Sequence, residues 1–347
     1  MAKIQSTVAI VGCGAVTELR HLPALRRRQD CTIQALVDTA EERARKLASA
    51  YSVSSVFPDY QCLLAQKPEL VIVALPNHLH ARVCVDLLEA GIHVLVEKPM
   101  AMNVDECNLM IQAAERGRAT LAVGMMRRFS HAGRFTRWAI ESGLLGKISS
   151  FDIRDGGVFD WPLVSDFFFR REAAGGGVLI DTGVHTLDQM LWWLGGVDSF
   201  EYYDDSAGGV EAECELHLKL KNGSHGIVEL SRTRNLRNTA IIRGEHAEIE
   251  VSLHKNALQL RYPDSPLICK GLGAPLDRHL PAEQSQIDFI AALHDDFINA
   301  VRMQRAPEAP GSAGRQSVAL IEACYLNRRE LVLPWMTQSP GVMQEAV

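Results

Sequence analysis

The chain has no cysteine pair at C-x-x-C spacing, no excess of basic residues and no apolar run long enough to span a bilayer. Each lack closes off a class of function. The eight cysteines (13, 31, 62, 84, 107, 214, 269 and 324) are scattered, mostly inside apolar segments. Free thiols there pack as small hydrophobes, which points to a reducing compartment rather than a disulfide scaffold. The 36 Lys and Arg against 42 Asp and Glu give a formal net charge of -6, so nothing favours nucleic acid as a partner. No basic stretch with a long apolar segment precedes the first strand, and the expected location is cytoplasmic with no membrane partner. What remains is ordinary for a soluble globular protein: 347 residues, 47% hydrophobic and 22% charged, with material for two cores.

The first apolar run, Thr7 to Val11, leads into Gly12-Cys13-Gly14-Ala15-Val16-Thr17 and then a helical pattern through Leu19, Leu22, Ala24 and Leu25. Strand, glycine turn and helix in this order form a dinucleotide fingerprint. Gly12 makes the tight turn, Gly14 admits a pyrophosphate to the backbone, and the helix N-terminus supplies N–H groups and positive dipole. Thr17 stands where a third Gly or Ala is usual, which loosens the motif. The second run, Ile33 to Val37, ends in Asp38 at the spacing where an acidic side chain accepts hydrogen bonds from ribose hydroxyls. A carboxylate there repels a 2′-phosphate, so NAD is expected over NADP, with Arg43 and Arg45 assigned to the solvated face of the next helix. The competing reading of Asp38 is a helix N-cap before Thr39-Ala40-Glu41-Glu42.

Strand and helix continue to alternate: a strand near 52–57, a helix over 59–66, the run Leu70 to Leu75, then Pro76-Asn77-His78-Leu79-His80 opening a helix to Glu89. This is the pattern of a parallel doubly wound sheet. His78 and His80, two apart in a helix start, would not face one metal. Gly91 to Met100 follows, a glycine turn, a buried strand and then Glu97-Lys98-Pro99. Its carboxyl end is where open α/β sheets bind ligands, so Lys98 is a candidate for chemistry, against the plain reading of a solvated loop lysine. A helix from Val104 to Arg116 and a strand from Ala119 to Val123 complete six strands, and the domain boundary is placed near residue 125.

The other informative stretch is Gly175-Gly176-Gly177-Val178-Leu179-Ile180-Asp181-Thr182-Gly183-Val184-His185-Thr186-Leu187-Asp188. The glycines let a loop pass close to another surface. Asp181 and His185, four apart, would share one helix face, where the carboxylate orients the imidazole as a general base. The competing readings are an N-capping Asp with a core His, and a zinc site with Asp188 that lacks a second histidine or a cysteine at ligand spacing. Beyond it, alternating strands near 210–220, 226–233, 239–243, 247–251 and 257–261 with an Asn222-Gly223 turn read as antiparallel sheet. Helices are expected over 286–302 and 315–328, and the tail from Thr337 reads as disordered.

Together the Gly12-x-Gly14 turn, Glu97-Lys98-Pro99 and the Gly175 to Asp188 segment resemble the glucose-fructose oxidoreductase / inositol dehydrogenase / MocA family of NAD(P)-dependent oxidoreductases. The resemblance covers nearly the whole chain. It implies an α/β fold: a Rossmann domain, residues 1–124, then a substrate-binding domain with a large, mainly antiparallel open sheet, residues 125–336, that assembles homodimers or homotetramers, and the tail 337–347. It implies that Lys98, Asp181 and His185 meet at a polyol or sugar substrate. NAD, or NADP, would lie along Gly12, Gly14, Ala15, Val16, Asp38, Leu75, Pro76, Asn77, His80, Glu97, Lys98 and Arg128. Arg127 and Trp161 are substrate candidates with Arg170 and Arg171, or else surface arginines and a core tryptophan. The expected activity is hydride transfer between a nicotinamide and a sugar or cyclitol CH–OH, with no metal, Lys98 holding the hydroxyl and His185 moving the proton. The other reading is a non-catalytic NAD(P)-binding sensor; an enzyme with a tightly held cofactor is a third.

Overall fold

The computed structural model describes residues 5–163, 166–262, 268–271 and 284–333. The tail from 337 and most of the irregular stretch 263–284 lie outside them. The first sheet is built from β1 (Ser6–Val11), β2 (Cys31–Val37), β3 (Ser55–Phe57), β4 (Leu70–Val73), β5 (His93–Val96) and β6 (Leu121–Val123). All pairings are parallel, in the order β3-β2-β1-β4-β5-β6. β4 is Leu-Val-Ile-Val, buried throughout, as a strand with helices on both faces must be. Strand order reverses between β1 and β4, and ligands bind beyond the strand ends at such a reversal.

The second sheet holds nine strands: β7 (Ile148–Gly156), β8 (Val197–Asp204), β9 (Glu213–Leu220), β10 (His225–Ser231), β11 (Thr239–Gly244), β12 (Glu248–Ser252), β13 (Leu258–Arg261), β14 (Ile268–Gly271) and β15 (Arg328–Glu330). Their order is β14-β13-β12-β11-β7-β10-β9-β8-β15. Among the described residues only β7 with β10 and β8 with β15 run parallel. β8, β14 and β15 are additions to the strands expected from sequence. The helices His131–Glu141 and Gly183–Leu194 pack against one face of this sheet. The other face carries a ladder of charges, with Arg154 on Asp152 (3.0 Å) and Glu229 (2.9 Å), and Arg243 and Arg261 both 2.8 Å from Glu248.

The chain then returns to the first sheet. Helix Gln286–Arg302 begins at a Ser285/Asp288 capping box, and Ile290, Leu293, Phe297 and Ile298 share a core with Val8, Ile10, Leu22 and Leu36. Arg302 ends it on Asp30 at 2.7 Å. Helix Gly311–Leu326 packs on helix Val104–Gly117, and Ala309 accepts from the Val123 N–H at 2.9 Å beside the edge strand β6. Residues expected to belong with the second domain therefore complete the first. Among the described residues no helix is long and apolar enough to cross a membrane.

Candidate active site

A crevice of about 1000 Å³ runs from the ends of β1 and β2, past β4 and β5, to the start of the helix Gly183–Leu194. At one end β1 stops in Gly12, whose φ of +99° is left-handed. A Cβ there would overlap the Ala74 carbonyl, so only glycine lets the turn cross the end of β4. Thr17, fully buried, donates its hydroxyl to the Gly12 carbonyl at 2.6 Å, tying the helix to the turn. The helix accommodates it with a π turn over Thr17–His21. Asp38 accepts from the Cys13 N–H (2.7 Å) and the Ala40 N–H (2.8 Å). Arg43 donates to both carboxylate oxygens, at 2.9 and 3.0 Å. Arg43 thus lines the crevice instead of the solvated helix face, whereas Arg45 pairs with Glu41 on the surface. Gly14, Ala15, Val16, Leu75, Pro76, Asn77 and Glu97 also line it. An anion-accepting glycine turn and a carboxylate at the end of β2 suit an adenosine diphosphate with its ribose.

Glu97 lies between the two halves. One oxygen contacts His21 Nε2 at 3.0 Å and the other accepts from the Lys98 N–H at 3.1 Å. His21 Nδ1 in turn meets His294 Nε2 at 2.9 Å, so the returning helix buttresses the cofactor crevice. Burial pushes the Glu97 carboxyl up, but His21 and Lys98 outweigh it and hold it below the usual range.

Lys98, before a cis peptide to Pro99, crosses to the second domain. Its Nζ donates to Asp181 Oδ1 at 2.9 Å and to the Asp181 carbonyl at 3.0 Å. Arg232 Nη2 takes the other oxygen, Oδ2, at 3.1 Å. Burial would raise the Asp181 carboxyl, yet the two cations bring it below its ordinary value. The loop that delivers Asp181 depends on Gly177, where a Cβ would collide with the Glu211 backbone; Glu211 binds the Gly177 and Leu179 N–H groups at 2.8 and 2.9 Å. Asn77 anchors the same loop by donating to the Ala174 carbonyl at 2.8 Å.

Asp181 does not orient His185. Asp181 closes the short helix Val178–Asp181 and the longer helix starts at Gly183; both side chains line the crevice, but the Asp181 oxygens are taken by Lys98 and Arg232 rather than by the imidazole. His185 is buried against the crevice, and its Nδ1 has no hydrogen-bond partner among the described residues. Burial, then the positive charges of Arg127 and Lys98, lower its pKa well below the ordinary histidine value. It is a neutral imidazole at neutral pH.

Two further expectations are corrected and one open alternative is decided. Arg128 turns away from the crevice: it forks onto buried Asp188 with two 2.7 Å bonds and donates to the Glu308 carbonyl at 2.8 Å. His80 is fully buried, with its ring nitrogens 2.8 Å from the Pro99 and Leu75 carbonyls, and staples two strand-end turns together behind the cofactor path. Arg171 donates to the Gly209 carbonyl and Arg170 pairs with Asp166, both outside the crevice, whereas Arg127 and Trp161 line it.

Sequence reasoning missed Asp155, Arg232 and His254, all in the crevice lining. Asp155, at the end of β7, binds Arg127 (2.6 Å), Thr186 (2.6 Å) and His254 Nε2 (2.6 Å). Burial opposes its charge, but Arg127 and His254 hold the carboxyl far below the carboxylate range. β7 and β10 are parallel with Ser231 opposite Gly156, which brings Asp155 and Arg232 to the same end of the sheet. That register is the signal, invisible in either segment alone. No group of three or more His, Cys, Asp or Glu suited to a metal occurs among the described residues.

Comparison with known proteins agrees with this arrangement. Residues 6–125 match the model of an oxidoreductase family with an NAD-binding Rossmann fold, and residues 133–250 match the GFO/IDH/MocA C-terminal domain. The chain is 34% identical over 213 residues to D-glucoside 3-dehydrogenase of Escherichia coli, a match covering 60% of each chain. It is 24% identical over 332 residues to D-apiose dehydrogenase of Paraburkholderia graminis, covering 93% of this chain and 87% of the relative. The fold is similar to that of levoglucosan dehydrogenase in complex with NADH and levoglucosan (TM-score 0.82, 20% identity, 93% and 97% covered). The chain spans 60% of the length of the E. coli relative. The glycine turn at the reversal of strand order, the Lys98 reach across the crevice and both domain matches make this chain a member of the Gfo/Idh/MocA oxidoreductase family.

Proposed function

We propose that the protein is an NAD(P)-dependent oxidoreductase acting on a secondary alcohol or ketone of a sugar, cyclitol or sugar derivative. The observation that carries it is the meeting of Lys98 from one domain with Asp181 from the other, beside a neutral His185. Bound NAD would supply the hydride acceptor. Lys98, held by Asp181, donates to the reacting oxygen and stabilises the alkoxide as it develops. His185, with a free ring nitrogen and no proton to shed first, takes the hydroxyl proton, and returns it when the reaction runs toward the alcohol.

NAD is preferred over NADP. The Asp38 carboxylate would hold the adenosine ribose by accepting from its hydroxyls at the oxygens onto which Arg43 donates. Arg43 is then free beside the ribose, so NADP is used to a lesser degree. The charge ladder on the open sheet face fits a homo-oligomer joined there.

A screen of sugars, cyclitols and sugar nucleotides with NAD and NADP, following near-ultraviolet absorbance of the reduced nicotinamide, tests the reading. Turnover with at least one polyol is expected, and His185→Ala or Lys98→Ala should each lower it about 10²- to 10⁴-fold with NADH affinity intact. Tight NADH binding without turnover of any polyol would favour a cofactor-binding sensor instead.

A further inference from the structure

A second polar group of the crevice, apart from Lys98, Asp181 and His185, is built around Asp155 at the end of β7. Its carboxylate is 1% exposed and meets three donors. Arg127 Nη1 and Thr186 Oγ1 both donate to Oδ2 at 2.6 Å, and His254 Nε2 lies 2.6 Å from Oδ1. Because Asp155 is ionised, Nε2 carries the ring proton, and Nδ1 of the neutral imidazole is left as an acceptor. That Nδ1 has no partner among the described residues, and the ring, 34% exposed, lines the crevice.

The turn that carries His254 is clamped on both sides. The Leu253 N–H donates to the Asn238 carbonyl at 3.0 Å, and Asn238 Oδ1 accepts from the Gly156 N–H, the residue after Asp155, at 2.7 Å. Ser252 Oγ accepts from the Lys255 N–H at 3.1 Å, and Asn256 Oδ1 from the Ala132 N–H at 2.8 Å. Fixed backbone and a buried carboxylate together hold the imidazole in one direction. Arg127 complements it: Nη1 is engaged by Asp155 and Thr186, whereas Nε and Nη2 have no partner among the described residues and are not sealed from the crevice that Arg127 lines. One carboxylate thus fixes an acceptor and a pair of donors in a single wall. The charges of that wall cancel, with Lys98, Arg127 and Arg232 against Glu97, Asp155 and Asp181. A neutral ligand whose groups both donate and accept, as hydroxyls do, suits it.

We infer that His254 and Arg127 form a hydroxyl-reading position separate from the reacting one, and that His254 selects among neutral sugars by requiring a hydroxyl that donates to its Nδ1. This rests on the oxidoreductase reading for the class of ligand and adds the residue that discriminates within it. Thr186 follows His185 in the chain and shares Asp155 with His254, so the two positions belong to one wall. Water refills a ring that is one third open, which keeps the discrimination near 10-fold, at about the worth of one hydrogen bond, rather than the roughly 10⁴-fold of a sealed polar site.

The test uses D-glucose, D-galactose and their monodeoxyfluoro analogues, one hydroxyl replaced at a time, on the NADH-loaded protein by calorimetry and on the NAD-loaded protein by turnover. Fluorine cannot donate, so the analogue altered at the position His254 reads should bind about 10-fold more weakly than its parent. His254→Phe should erase that one ratio, and His254→Gln, which keeps an acceptor, should restore part of it. The ratio isolates the reading, because an Asp155 loosened by loss of the imidazole weakens every member of a series alike. Losses spread evenly over the positions, a ratio unmoved in His254→Phe, or binding of neither parent sugar would overturn the inference. A single His254-dependent position without coenzyme reduction would sustain it and sink hydride transfer instead; coenzyme reduction with no such position would do the reverse.

Discussion

Replacing Asp181 by Asn is the perturbation that separates catalysis from mere contact between the two domains. The carboxylate holds Lys98 on one oxygen and Arg232 on the other, with 20% of its side chain exposed. An amide keeps one acceptor but turns its NH₂ toward the remaining cation, so one of two charge-assisted bonds is lost and a donor faces a donor. Hydrogen bonds to charged groups contribute about 1.5–3 kcal/mol, and partial hydration of the freed cation puts Asp181→Asn toward the lower end. If that loss falls on the positioning of Lys98, kcat/KM drops roughly 10- to 100-fold, at about 1.4 kcal/mol per factor of ten. The fall should appear mainly in kcat, because the lysine acts on the oxygen as charge develops. NADH affinity, which the proposed function assigns to Gly12 and Asp38 on the far side of the crevice, should not move. Steady-state kinetics with the substrate identified by the screen, beside NADH fluorescence titration and urea denaturation, give all three readings. A variant with lowered stability but unchanged kcat would refute the reasoning, since the carboxylate would then only join the domains.

Two other outcomes follow from the buried charges. Arg128→Ala strands the Asp188 carboxylate, whose pair is 7% and 2% exposed, and should lower unfolding free energy by about 3–5 kcal/mol while the folded fraction still binds NADH; reduced NADH affinity in that fraction would instead place Arg128 at the cofactor. Acidification should destabilise the protein earlier than carboxylate titration alone would. His80, His185 and His294 all have folded pKa values lowered by burial, so their contribution is present above the unfolded value of about 6.5 and is lost as pH falls below it. Glu97 and Asp181, also lowered, add a second loss only below the ordinary carboxylate values, and Asp188, raised by burial, works the opposite way above its own ordinary value. Urea midpoints from pH 8 to pH 5 should therefore fall below about pH 6.5, and less so in His294→Gln; a level profile would contradict the assignment of these rings as neutral.

The cofactor half of the site was legible because its determinants are local: a strand, a glycine turn and the next strand's end lie within one stretch, Ser6 to Asp38. Even there Thr17 was legible only as a departure, and its answer, a hydroxyl on the Gly12 carbonyl and a π turn, needed the structure. Arg43 was misread because helix periodicity does not record that its guanidinium folds back onto Asp38. That Lys98, Asp181 and His185 line one crevice was legible from their compact motifs, but their couplings were not. The spacing of four brings Asp181 and His185 to one crevice, but Lys98 and Arg232 take the carboxylate, which no spacing records. Asp155, Arg232 and His254 come from two strand ends and a turn, brought together by sheet register, which carries no periodic signature. β8 escaped notice because Val197–Asp204 exposes most of its first five residues and is rich in acid groups, and β15 because Arg-Arg-Glu reads as a helix end.

The return of residues 286–326 to the first sheet sets the order in which this molecule becomes complete. Strands β1 to β6 all leave the ribosome within the first 123 residues, yet the apolar surface of Val8, Ile10, Leu22 and Leu36 is covered only when Ile290 to Ile298 arrive. A nascent chain must therefore hold a finished sheet with an open flank through about half of its synthesis, when exposed apolar surface is an aggregation hazard. His294 arrives last to the Glu97 network, so the pocket for NAD is buttressed only after the substrate domain has been made. On the proposed function, cofactor capture would then close biosynthesis, although the residues assigned to it are among the first to be translated.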